Sequence, residues 1–462
     1  MIRGEEDSVS IPTDLVAEIL SRLPVTSIAR FRCVSKQWGS MLISPYFIEL
    51  FRTRSSGWPH LLFAVQRDDG YDWHFFTSPQ PQNTYEKSSP LVVTADSPMK
   101  FTGDDKKPLC IGGHASGLIL FYRDRGIDKS AVICNPVTGQ YVTLDLPEGM
   151  KYWKPFLGFD PIEKQFKVLL ISSPYHDYYG ELEEYDIQIL TLGAGNDSWR
   201  KIKIHCSLNH FPMYEDGICI NGVLYYLASR KKKDYLPCLI VCFDVRSEKF
   251  KFINRDFPSY HDNTLINYKG KLGVITREFK YYDDGRCVGL PRKLKLRMWV
   301  LKDVEEPEPE WSKYVYTSRN NHLIDHDCHL SIDEMVVSGV TASGEIVLSM
   351  DNPYISEPFY VFYLNPERKT VKSVEIKGFG GNHFDFHGEA KYRTVKIFVE
   401  DLNFINMKTA FGDATTSISP PEDEKREPPI STSASAKAPV EQVGRKFKSI
   451  NKFDSLCLLD DE

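Results

Sequence analysis

Large apolar residues recur at helical intervals between Ile11 and Phe51, with no glycine before Gly39. Asp14 can cap a first helix over 14–23 that carries Leu15, Ile19, Leu20 and Leu23, and Pro24 stops it. Thr26 or Ser27 caps a second helix through Ile28, Phe31 and Cys33. Ser35 opens a third with Trp38, Met41 and Leu42, ahead of Ser44-Pro45. Three or four short helices result. A unit this small cannot bury every one of these side chains by itself, so some of them are expected to meet a partner.

From residue 57 the period changes. Runs rich in Val, Ile, Tyr, Phe and Leu alternate with clusters of Gly, Asp, Asn and Pro, the pattern of short strands separated by tight turns. Aligned against itself, the chain repeats a four-part unit about every 40 to 60 residues. In the clearest unit, 217–257, GICI-NG-VLYYLA is joined through SRKKKDYLP to CLIVCFDV-RSEK-FKFINRDF, two tight hairpins linked by a longer connection. The same frame fits 108–146, 156–204, 264–317 and 335–378, and half-units remain at 60–77 and 392–405. Paired, the half-units would close a ring between the ends of the array. Four strands per repeat and a closed ring predict an all-β propeller over 57–411, with six blades and seven as the alternative. Residues 1–10 and 412–462 are expected to be disordered, the latter being rich in Ser, Pro, Lys and Glu. Near the end Phe453, Leu456, Leu458 and Leu459 fall close to helical spacing, which would suit a short docking segment.

Composition narrows the function classes. The chain has 462 residues, 42% hydrophobic and 26% charged, so most of it is expected to fold, as at least two units. Lys and Arg number 57 against 63 Asp and Glu, a net charge of -6, which argues against a protein that neutralises many phosphates of a nucleic acid. The start, MIRGEEDSVS, has acids where a secretory signal has an apolar run, and no stretch reaches the ~20 apolar residues needed to span a bilayer. Cytoplasm and/or nucleus is the expected location, with no membrane partner. Ten cysteines without a CxxC pair suit reduced, buried thiols.

Residues 11–56 resemble an F-box: Ile11-Pro12 stands at the opening Leu-Pro position, followed by Asp14-Leu15, Ile19-Leu20, Leu23-Pro24, Arg32-Cys33-Val34, Lys36 and Trp38. The opening Ile in place of Leu is the one departure. In that family this module docks on a Skp-type adaptor and through it on a cullin-RING ligase. The resemblance implies an adaptor face at Ile11, Pro12, Leu15, Ile19, Leu20, Leu23, Pro24 and Val34. NPVTGQYVTLDLP, LGFDPIEKQFKVLL and SWRKI further resemble the F-box-associated region of plant F-box proteins, type 3 or kelch-like. The implied function is substrate recognition in a Skp-cullin-F-box (SCF) ubiquitin ligase. A non-ligase F-box scaffold and a propeller enzyme stay open as alternatives.

The repeat frame also sorts the connections by side. ASG, NG, RSEK, KGK and PERK are brief and suit structural turns, whereas the opposite side carries long segments rich in Tyr, His and Phe. Tyrosine gives a large contact area and a polar tip at small entropic cost, so this second side is expected to hold the protein target. Tyr175, Tyr178, Tyr179, Phe211, Tyr214, Tyr260, Tyr281, Tyr282, Tyr354 and His383 form the expected contact set. No cofactor, metal or catalytic residue is expected. His322, His326, Asp327, Cys328 and His329 lack a second ligand pair elsewhere. His205 and Cys206, adjacent on an extended chain, point to opposite faces. Arg230 to Lys233 reads as a solvated loop charge run or a nuclear address.

Overall fold

The computed structural model describes residues 11–23, 25–32, 34–55, 60–67, 72–79, 93–94, 96–102, 109–123, 130–136, 141–148, 152–173, 186–193, 198–202, 210–212, 216–229, 238–254, 263–279, 294–302, 309–317, 335–350, 359–377, 392–399 and 448–450. Among them are four helices: α1 Thr13–Leu20, α2 Val25–Phe31, α3 Lys36–Leu42 and α4 Pro45–Ser55. Two starts differ from the sequence reading. α1 begins one residue before Asp14, because Pro12 sits at the cap with φ -53° and ψ 136° and its carbonyl accepts from the N–H groups of Leu15 and Val16. α2 likewise begins at Val25, ahead of Thr26 and Ser27. Ser35 does cap α3, its hydroxyl accepting from the Trp38 N–H at 3.2 Å.

The remainder is built of antiparallel sheets, consistent with a β-propeller. Each full sequence unit forms one four-stranded meander: Cys110–Ala115 to Tyr141–Leu144, Tyr152–Asp160 to Arg200–Lys201, Gly217–Ile220 to Phe250–Asn254, Asn263–Tyr268 to Trp311–Thr317, and Met335–Val340 to Thr370–Lys377. The two half-units share a sheet. Tyr392–Val399 pairs antiparallel with His60–Arg67, which pairs with Asp72–Pro79 and then Asp96–Thr102. Lys396 adds an ion pair to Asp216, 3.1 Å away, at the entry to the 217–254 meander.

The turns explain the hairpins. Ser116-Gly117, Asn221-Gly222 and Lys269-Gly270 all have positive φ at both residues, the conformation that matches a two-residue hairpin turn to the twist of its strands. Asp160, Asp244, Asn267 and Asn365 each accept a backbone N–H two or three residues on, which closes the turn from the side chain. Neighbouring turns are then tied to each other. The Asn221 amide donates to the Gly270 carbonyl at 3.1 Å, Arg246 meets Glu163 at 3.4 Å, and Lys269 donates to Glu367 at 2.7 Å.

Gly217 lies beside Gly113 in a short parallel pairing between the first strands of their meanders. A Cβ at Gly113 would sit 3.1 Å from the Gly217 carbonyl oxygen, and one at Gly217 would sit 2.6 Å from the Phe156 ring, so glycine is needed on both sides of this approach.

One tail residue range departs from the disorder expected over 412–462: Lys448–Ile450 forms a strand antiparallel to Lys100–Thr102 at the outer edge of the first sheet. Composition could not show it, because an open sheet edge offers the same backbone hydrogen bonds to any extended segment.

Candidate functional site

The helical module sorts its apolar residues into two stripes. Val16, Ala17 and Leu20 face inward on α1 and join Ile28, Leu42, Phe47 and Phe51 in one apolar cluster that continues into the first two sheets through Trp73, Phe75, Phe121 and Phe398. Tilted rings at Phe31 and Trp38, 5.6 Å apart, line its margin. The Ser44 hydroxyl accepts from the Phe47 N–H at 3.2 Å and sets the start of α4, which aims Phe47 and Phe51 inward four residues apart.

The other stripe points to solvent. Leu15 and Ile19, one helical turn apart, together with Ile11, Val34 and Tyr46, keep between 55% and 61% of their surface exposed. Of the seven exposed large hydrophobics among the described residues, these five fall within 36 positions of the helical module. A soluble surface seldom concentrates large apolar side chains in this way unless something covers them. Pro12 is exposed beside Ile11, and the Arg22–Glu18 pair at 3.2 Å adds charge at the C-terminal end of α1. Leu15 and Ile19, side by side on α1, can bury apolar area against a partner.

The sequence-derived adaptor set divides accordingly. Ile11, Pro12, Leu15, Ile19 and Val34 are on the exposed side, whereas Leu20, 3% exposed, is committed to the module's own core and Leu23 is half-buried against that core. Pro24 lies outside the described residues. Tyr46 is exposed with the others yet was absent from the set, and its signal was present: Ser44-Pro45 starts a helix whose inward positions Phe47 and Phe51 leave Tyr46 on the far side.

On the sheet-rich body, Phe211 is the member of the expected target set that falls within the described residues. It stands in the two-residue strand Phe211–Pro212 against Ser229 and Ala228. The residue before it, His210, is buried 2.7 Å from the Tyr226 hydroxyl and edge-on to Phe252, which anchors the strand. Tyr175, Tyr178, Tyr179, Tyr214, Tyr260, Tyr281, Tyr282, Tyr354 and His383 lie outside the described residues, as do His322, His326, Asp327, Cys328 and His329. Among the described residues no group of three His, Cys, Asp or Glu is placed to hold a metal, and no helix is long and apolar enough to cross a membrane.

Titratable groups inside the body are bent toward neutrality or toward pairing. Burial pushes the thiols of Cys219 and Cys242 up, to about 11 and about 12. Burial lowers His114 to about 4, with Asp216 opposing and Lys396 assisting. Glu248 is pushed up by burial but held below its ordinary value by hydrogen bonds from Arg200 and Lys167. The Glu248 contacts tie neighbouring sheets together, whereas the thiol and imidazole shifts follow mainly from burial in the core.

Comparison with known proteins agrees with this layout. The F-box domain family matches residues 9–50, and the family described as "F-box associated beta propeller domain" matches residues 60–402. F-box protein At3g57590 of Arabidopsis thaliana is 48% identical over 385 residues, 80% of this chain and 86% of that protein. F-box protein At2g15640 of the same plant is 44% identical over 442 residues, covering 86% of this chain and 95% of its own. F-box protein At1g67130 is 42% identical over 484 aligned positions, 99% of this chain and 95% of its own.

Proposed function

The chain belongs to the plant F-box proteins that carry an F-box-associated β-propeller domain, and from that premise we propose that it is the substrate-recognition subunit of an SCF ubiquitin ligase. The exposed stripe of Ile11, Leu15, Ile19, Val34 and Tyr46 takes the Skp-type adaptor, which brings the cullin-RING assembly. The sheet-rich body, read as six blades, takes a protein target on the side opposite the laced short turns. In this reading the chain performs no bond chemistry. It holds target lysines near a recruited conjugating enzyme and so raises their effective concentration. Cytoplasm and/or nucleus is where such a subunit would act.

The observation that carries the reading is the split of the α1 side chains into a buried and an exposed apolar stripe. Removing central interface anchors commonly costs about 2 kcal/mol or more, so Leu15→Asp with Ile19→Asp should weaken binding of purified Skp-type adaptor at least about thirtyfold in a calorimetric titration. The melting temperature should stay put, because both side chains are exposed. Unchanged affinity would refute the face. Leu20→Asp, by contrast, should unfold the module outright, since it places a charge in the core.

A further inference from the structure

We propose that residues 448–450 are a tethered cap on the outer edge of the first sheet, and that the Lys100–Thr102 edge is a site for one extended peptide strand, occupied in the resting protein by this chain's own tail. The strand Lys448–Ile450 runs antiparallel to it, in the register Lys448 to Thr102, Ser449 to Phe101 and Ile450 to Lys100. What makes this stretch receptive lies in the edge strand itself. Its first half is blunted: Pro98 has no N–H to offer, and the ladder to the neighbouring strand slips between Phe75 and Thr77, where Pro98 falls. The second half, Lys100 to Thr102, has neither defence, and it is there that the tail pairs.

Geometry favours the same molecule as the source. From Tyr392–Val399 the sheet runs through His60–Arg67, Asp72–Pro79 and Asp96–Thr102 to Lys448–Ile450, four strand spacings or about 19 Å. Residues 400–447 provide 48 positions, which extended would reach on the order of 160 Å. The connection is therefore many times longer than the gap, and binding in cis needs no second copy. A neighbouring outer strand, Thr370–Lys377, is covered in a similar manner by the short parallel strand Val93–Thr94. The main chain supplies the contacts, so the chemistry recognised is an extended backbone with free N–H and C=O groups, and a partner strand seeking this edge must first displace the tail.

The test is hydrogen exchange read by mass spectrometry on the full chain and on full-length Lys448→Pro with Ser449→Pro. Successive N–H groups of a strand point to opposite sides, so this double change removes whichever one faces the edge. Amides within 96–102 should exchange at least about tenfold faster in the variant, while those of 60–67 stay unchanged, and a synthetic peptide spanning 445–456 should restore protection. Equal exchange in the two proteins would overturn the proposal. Loss of protection in the unaltered chain on tenfold dilution would also overturn it, since the strand would then come from a second copy.

Discussion

An alanine at position 217 would bring its Cβ 2.6 Å from the Phe156 ring, which packs face to face on Tyr226 with centroids 4.5 Å apart and has little room to withdraw. Overpacking of this kind commonly costs 1–3 kcal/mol, so Gly217→Ala should lower unfolding free energy by about 2 kcal/mol in a urea titration. Gly270→Ala meets only an ordinary contact, 3.8 Å to the Asn221 side-chain nitrogen, but carries a φ of +80°, so its cost should come mainly from the backbone, about 1 kcal/mol. His114 makes a pH prediction. Its folded value, about 4, is below its ordinary 6.5, so between these the unfolded chain binds a proton that the folded chain refuses. The stability tied to His114 is present in full above about pH 6.5 and is lost as pH falls toward 4. His114→Asn should flatten that part of the stability profile, as followed by urea midpoints at half-unit pH steps.

Pairs of strands and helices show what could and could not be read from the chain. Asn221-Gly222 flanked by GICI and VLYYLA announces a hairpin, because few residues besides Asn and Gly accept positive φ, and that hairpin formed. Lys269-Gly270 makes a similar turn with a lysine in the left-handed region, a choice legible only through the repeat frame. In the F-box the spacing of Leu15, Ile19 and Leu20 located a helix but not its orientation, since residues 100° apart serve equally as core or contact until the neighbours are known. The sheet-to-sheet latches were invisible for a related reason: Glu248, on a turn whose sequence reads as solvated charge, reaches the strand residues Lys167 and Arg200 across 81 and 48 positions. Lys167 is nearly buried and leans on Glu248 at 2.7 Å. Glu248→Ala should therefore cost about 3 kcal/mol by stranding a buried ammonium, while adding Lys167→Met should recover most of it, a coupling that a double-mutant cycle measures directly.

For the whole molecule, the closing strand and the proposed target face are linked. Tyr392–Val399 joins the two ends of the repeat array, and without it His60–Arg67 becomes an open edge and Asp216 loses Lys396. Truncation before Tyr392 should abolish the cooperative unfolding transition of the entire body, whereas truncation at 411 should leave it. That cooperativity gives the face assignment a usable control. The short-turn side is laced by Asn221, Arg246, Glu163, Lys269 and Glu367, so substituting Lys269 there would remove a link between turns as well as change the surface. Ile162 is the better control: it is exposed on the same side, at the tip of a turn whose closure depends on its backbone N–H donating to Asp160 and not on its side chain. Under the proposed function, target capture by the full-length chain with the proteasome inhibited should fall at least about tenfold when Tyr178, Tyr214 and Tyr260 are changed together to alanine. It should be unaffected by Ile162→Ala. Adaptor binding by the full-length versions of both variants should match the unaltered protein. A loss confined to Ile162→Ala would move the target to the short-turn side.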